Sequence, residues 1–349
     1  MPHSHNIFDV PCDPKTALVQ ILPVPFDATT SYRPGAARGP QAILAASVQV
    51  DLCDADVGAP HQVGIYMEPI PSEIVQRNTL SRGCVQAIRQ AKDKGHEAPK
   101  NFFDEVNRAT AQNNDQVYAW TQGVLNKGQL PVILGGDHSV PLGAIRACAE
   151  HHKQIGILHV DAHCDLRKSY EGFKDSHASI MDNVQSQIPE VIKLTQVGIR
   201  DFCNEELETI KKSNGRIVTY FDKILRKHRL EGEFFSLCQS IIDTLPSHVY
   251  LSFDIDGLDP TLCPHTGTPV PGGLSFDEIL ALLNQLAISG KTVVGMDLCE
   301  VSPPREAKDS ELGDNWDANV GARFLYKMIG FALISRKTPN LSLPDLPSL

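Results

Sequence analysis

The stretch HVDAHCDLR (159–167) follows the apolar run IGIL (155–158) and puts Asp161, His163 and Asp165 at alternate positions. Side chains on one face of a strand recur every second residue, so Asp161 and His163 project together. Asp165 can rejoin them where the chain leaves the strand. The pattern recurs in LSFDIDGLDP (251–260), where Asp254 and Asp256 are two apart. GGDHS (135–139) places His138 after two glycines that let the backbone turn tightly. Each cluster ends an apolar run, and ligands of open parallel sheets gather at the carboxyl ends of strands. Four carboxylates and two imidazoles are thus expected in one crevice.

Like charges packed so closely repel and raise one another's pKa values unless cations neutralise them. The expectation is two divalent metal ions. Hard carboxylates with permissive imidazoles and no thiolate suit Mn²⁺ best, with Ni²⁺, Co²⁺ or Zn²⁺ as alternatives. Two ions about 3.5–4 Å apart can share a water and lower its pKa enough to supply hydroxide near neutrality, which points to metal-assisted hydrolysis. A lone DxD at a strand end more often caps a turn, but three alternating ligands plus GGDHS make that explanation weak.

The elements that must hold these residues are short apolar runs rich in Val and Ile: 17–24, 131–134, 155–160, 195–199, 216–220, 248–255 and 292–298. Such runs suit strands covered on both faces. Amphipathic helical patterns fall near 39–49, 116–128, 140–152, 203–213, 232–244, 276–288 and 317–334. One starts with Ser275 as N-cap and Glu278 completing a capping box. The alternation implies an α/β fold on a parallel sheet, in a single domain over 1–349, with the polar stretch 72–115 read as a helical insertion.

Composition excludes several function classes. The net charge of −10, without a Lys/Arg block, argues against nucleic-acid or anionic-membrane partners. No apolar run approaches the roughly 20 residues that span a bilayer, and MPHSHNIFDVPCDP lacks signal-peptide features, so a cytoplasmic protein is expected. Nine Cys without CxxC spacing read as free thiols, Cys164 among them facing away from the ligands. His3, His5, His151, His152 and His265 read as surface or packing residues.

GGDHS (135–139), DAHCD (161–165) and SFDIDGLDP (252–260) resemble the signature motifs of the ureohydrolase family, which includes arginase, agmatinase, guanidinobutyrase and formimidoylglutamase. PFDATTSYRPGAARGP (25–40) is similar to the agmatinase-side N-terminal motif, and TGTPVPGG (266–273) and DLCEVSPP (297–304) extend the likeness. The resemblance implies a three-layer α/β/α sandwich with a mostly parallel central sheet, assembled as a trimer or hexamer. It implies one metal on His138, Asp161, Asp165 and Asp254, and a second on His163, Asp161, Asp254 and Asp256. A metal-bridging hydroxide would attack a guanidinium carbon and release urea and an amine. Asp165, His177 and Glu300 are the implied catalytic residues. Glu300 would hold the guanidinium through charge-assisted hydrogen bonds, and His177, in DSHASIM, would shuttle protons. The surroundings of His177 depart from the HG-type sequence usual in the family.

Arg167 in DAHCDLR matches formimidoylglutamase-like sequences. Its fork would attract a substrate carboxylate and repel an ammonium tail, whereas an outward Arg167 would pair with Glu171 or Asp175. Agmatine and an ω-guanidino acid, such as guanidinobutyrate or arginine, are therefore the candidate substrates. Formiminoglutamate or free guanidine rank lower. Two other classes compete: FDIDG resembles the DxDGT nucleophile motif of aspartate-nucleophile phosphatases, which normally opens its domain, and an inactive scaffold relative should have lost ligands that are all present here.

Overall fold

A computed structural model describes residues 6–339 and 341. Among the described residues eight strands form one parallel sheet: β1 (Val19–Val24), β2 (Ile65–Met67), β3 (Leu130–Gly135), β4 (Ile155–Val160), β5 (Val191–Ile199), β6 (Ile217–Phe221), β7 (His248–Asp254) and β8 (Thr292–Cys299). Their order is β2-β1-β3-β8-β7-β4-β5-β6. The central strands are buried at every position of β3 and β4, as their unbroken apolar runs require.

Among the described residues ten α-helices cover the two faces, giving the three-layer α/β/α sandwich. They are α1 (Gly39–Ser47), α2 (Ser72–Asp93), α3 (Lys100–Leu125), α4 (Leu142–His152), α5 (Ile180–Gln187), α6 (Asn204–Lys212), α7 (Asp222–Glu231), α8 (Phe234–Asp243), α9 (Phe276–Ile288) and α10 (Trp316–Ser335). Alternate strand residues feed two separate cores. Ile43, Ile241, Leu282 and Phe324 pack over Leu158 and Phe253 on one face. Val106, Val117, Ile145 and Met181 pack over Ile157 and Tyr250 on the other. The Ser275 capping box at the start of α9 is present, with both reciprocal hydrogen bonds made.

Several expectations change. The stretch 72–115 is helical, but it holds α2 and the first half of α3, which continues without a break through the helix expected at 116–128. Its N-terminal half is polar enough to hide the start. The expected helix at 232–244 is α8 alone, and α7 precedes it, its chain turning at left-handed Gly232. β2 is too short for a pattern to register. Among the described residues, no helix is long and apolar enough to cross a membrane.

Candidate active site

Every chemistry-bearing residue follows the carboxyl end of a strand in the middle of the sheet. His138 follows β3, Asp161 to Asp165 follow β4, Asp254 ends β7 with Asp256 just beyond, and Glu300 follows β8. The segment after β1 lies over them. Its Phe26 carbonyl would be 1.9 Å from a Cβ on Gly136, so only glycine permits this crossing. Asp137 ties the segment down by accepting from the Thr29 N–H at 3.0 Å and hydroxyl at 2.7 Å.

The six expected ligand residues converge. His138 Nδ1 lies 3.1 Å from Asp161 Oδ2, 3.3 Å from Asp165 Oδ2 and 3.6 Å from Asp254 Oδ2. His163 Nδ1 lies 3.3 Å from Asp161 Oδ1 and 3.2 Å from Asp256 Oδ2. The donor atoms fall into overlapping sets, among them His138, His159, Asp161 and Asp165, and Asp161, His163 and Asp256, with Asp254 outside these sets but 3.6 Å from His138 Nδ1. Asp161 belongs to both. Asp254 Oδ1 accepts the Asp256 N–H at 2.8 Å, which fixes the turn between those two aspartates.

The electrostatics call for cations. Burial, then Asp161, pushes Asp165 up to about 7. Burial, then Asp256 and Asp161, holds Asp254 well above the usual carboxylate range. Burial works against charge on Asp161 as well, but donors from His138, His159 and His163 outweigh it and hold that carboxyl low. A buried set of hard oxygens and imidazoles in which two carboxyls are pressed toward neutrality fits a pair of divalent ions. Asp165 and Glu300 also sit at φ 54° and 62°, strained values for residues with a Cβ.

Glu300 is 2% exposed. Its Oε1 accepts the His138 N–H at 3.0 Å, whereas its buried Oε2 has no hydrogen-bond partner. A Cβ on Gly267 would come within 3.2 Å of that oxygen, so the glycine leaves the space in front of it open. His177 borders a cavity of about 140 Å³ shared with Ser31, His163, Asp165, Arg167 and Asp201. Its Nε2 lies 3.3 Å from Ser31 Oγ, and burial followed by the nearby His163 holds its pKa down to about 3.

Arg167 lines the same cavity, with its guanidinium 4.9 Å from the centre of the Tyr170 ring. Glu171 pairs with Arg89 at 3.8 Å instead. Cys164 is buried in a core and its thiol is pushed up by burial, in keeping with a packing residue. His265 bonds to Asp317 at 2.8 Å, His151 and His152 meet edge to face, and His3 and His5 lie outside the described residues. Sequence reasoning passed over His159, whose Nε2 is 2.9 Å from Asp161 Oδ2. Its signal was present, because it precedes Asp161 by two positions in the same alternation.

Residues 17–330 match the arginase family. An N(1)-aminopropylagmatine ureohydrolase of Thermus thermophilus is 37% identical over 289 residues, 82% of this chain and 83% of that protein. The proclavaminate amidinohydrolase of Streptomyces clavuligerus is 31% identical, over 82% of this chain and 80% of its own. The solved agmatine ureohydrolase of Thermoplasma volcanium superposes with a TM-score of 0.72 over 96% of this chain and 97% of its own, and at 24% identity it shows a shared fold.

Proposed function

Because this chain belongs to the arginase family, we propose that it hydrolyses an amine-tailed guanidino compound, agmatine or its N1-aminopropyl derivative, to urea and the free amine. At the coarser level the chain is a ureohydrolase, a metal-dependent hydrolase of C–N bonds acting on guanidino compounds. The observation that carries the guanidinium half of this reading is Glu300 Oε2, a buried acceptor without a partner, opening toward space beside the His and Asp cluster. A buried carboxylate oxygen of this kind costs on the order of 1–3 kcal/mol unless a donor reaches it, and a guanidinium supplies donors in a rigid fork.

His138, Asp161, Asp165 and Asp254 would hold one divalent ion, and His163, Asp161, Asp254 and Asp256 the other, with Mn²⁺ favoured by the hard donor set. When bound, such a pair supplies Lewis acidity and lowers the pKa of water toward neutrality. Glu300 orients the planar cation. His177 is held neutral by burial and can carry a proton at Nε2 between the reacting groups and the cavity mouth. The reading extends to one domain over 1–349 in a cytoplasmic homo-oligomer, a trimer or hexamer, for which sedimentation is the check.

The amine tail is supported by the 37% identity to an aminopropylagmatine ureohydrolase and by Asp201 at the cavity. Arg167 favours a second reading, an ω-guanidino acid whose carboxylate would meet its fork. Urea release by the Mn²⁺-loaded enzyme from agmatine, aminopropylagmatine, guanidinobutyrate and arginine separates them. The highest kcat/KM on an amine-tailed compound supports the proposal. The highest value on an acid favours the second reading, and urea from none would overturn both.

A further inference from the structure

One register row crosses five adjacent strands just beneath the site. Asp297 of β8 pairs with Ser252 of β7, Ser252 with His159 of β4, His159 with Gln196 of β5, and Gln196 with Thr219 of β6. In a sheet buried on both faces this row should be largely apolar, as most of the neighbouring positions are. Asp297, Ser252, His159 and Gln196 are instead polar and fully buried.

Hydrogen-bond polarity along the row can be assigned from its fixed members. The Cys164 carbonyl can only accept, so the Gln196 atom 2.8 Å from it is Nε2, the amide donor. The Gln196 Oε1 then accepts the Thr219 hydroxyl at 2.9 Å. Nε2 has a second hydrogen, and it points at His159 Nδ1 at 3.1 Å, which must therefore be bare. The proton of neutral His159 sits on Nε2 and is donated to Asp161 Oδ2 at 2.9 Å. The other arm works on His138, whose Nε2 faces Ser252 Oγ at 2.9 Å and Asp297 Oδ1 at 3.6 Å. Asp297 is itself anchored by the Phe253 N–H at 3.1 Å. A proton held on Nε2 would leave His138 Nδ1 as the atom available to a metal ion, in place of the hydrogen bond that it makes to Asp161.

We propose that this row is a positioning relay, in which Thr219, Gln196 and His159 set the donor presented to Asp161 while Ser252 and Asp297 set the tautomer of His138. The proposal rests on the metal-site reading given above. Its specific content is that Gln196 and Thr219, which touch no ligand side chain, act on Asp161 through His159, while Gln196 has one further hold on the site, the Cys164 carbonyl between His163 and Asp165. Neighbours that orient ligands in this way are worth about 10–100-fold in metal affinity.

The test is competition for Mn²⁺ against a chromophoric chelator, on the full chain, with Gln196→Met, Thr219→Val, His159→Phe and the two double variants. The wild-type enzyme must first bind two ions and release urea; failure there overturns the site reading itself, separately from the relay. Given that, Gln196→Met is expected to weaken Mn²⁺ binding about 10–100-fold, and Thr219→Val to weaken it by a smaller factor. In the His159→Phe background both changes should cost clearly less than they do alone, because the connection to Asp161 is already cut and only the Gln196 bond to the Cys164 carbonyl remains to be lost. A merely structural role would give additive losses, and additivity would overturn the proposal. So would unchanged affinity in Gln196→Met. Should Gln196→Met fail to fold, Thr219→Val on the partly buried edge of the row decides: unchanged affinity there refutes the relay.

Discussion

Replacing Glu300 by glutamine should have two effects of opposite sign. The side chain is nearly isosteric, and with its carbonyl kept on the His138 N–H, its amide NH₂ would stand where Oε2 now lacks a partner. A guanidinium arriving there would meet donors instead of a negative acceptor. Removing one partner of a buried charge pair costs about 2–5 kcal/mol. At roughly 1.4 kcal/mol per tenfold, kcat/KM should fall about 30- to 5,000-fold. Metal content should stay the same, because Glu300 Oε1 is already engaged by the His138 N–H and Oε2 is assigned to the guanidinium rather than to an ion.

The metal-free protein should respond in the other direction. Burial, followed by Asp137 and Asp256, holds the Glu300 carboxyl well above its ordinary pKa. A carboxyl raised in the folded state binds its proton more tightly there than in the unfolded chain. Its contribution to stability is therefore fully present below the unfolded pKa of about 4.3 and is lost as pH rises through the folded value. Glutamine does not titrate, so Glu300→Gln should remove that part of the alkaline loss. Urea release on the substrate panel, elemental analysis, and denaturation of chelator-stripped protein at about pH 5 and about pH 8 provide the three readouts. Activity within about threefold of wild type with both metals bound would remove Glu300 from the guanidinium site. A stripped variant less stable than wild type at the higher pH by more than about 1 kcal/mol would refute the electrostatic argument.

Chelation should abolish turnover and Mn²⁺ should restore it, with affinity weakening as pH falls through about 7, where Asp165 takes up the proton that competes with the ion; calorimetry in buffers of different ionisation enthalpy would detect the released protons. Asp254→Asn should eliminate activity and shrink the rise in thermal midpoint that Mn²⁺ gives the wild type, since ligands that bind only the folded state stabilise by mass action. An undiminished Mn²⁺ shift would exclude Asp254 as a ligand. Arg167→Ala should raise the kcat/KM ratio of agmatine over guanidinobutyrate by about tenfold or more, the loss of one charge-assisted contact of at least about 1.4 kcal/mol; an unchanged ratio would show that Arg167 does not select the tail.

How far these residues could be read in advance depended on how local their signals are. Asp161, His163 and Asp165 announce themselves because alternation within one strand is a property of consecutive residues. His138 and Asp254 could be brought to them because parallel strands place their carboxyl ends together whatever the strand order, whereas Glu300 was reached only through the family resemblance of DLCEVSPP. The parallel sheet itself was legible in the apolar runs, while β2, with three residues, and the polar start of α3 carried too little pattern to register. The row beneath the site was invisible for a different reason. Gln196 and Thr219 each look like an ordinary polar residue inside a strand. Their meaning depends on β4, β5 and β6 being neighbours in one register, and that register sets His159 beside Gln196 and Gln196 beside Thr219. A one-residue slip would turn either side chain to the opposite face and break the chain of donors. Metal-ligand candidates can therefore be found from spacing along the sequence, whereas the groups that orient them are specified by long-range strand pairing.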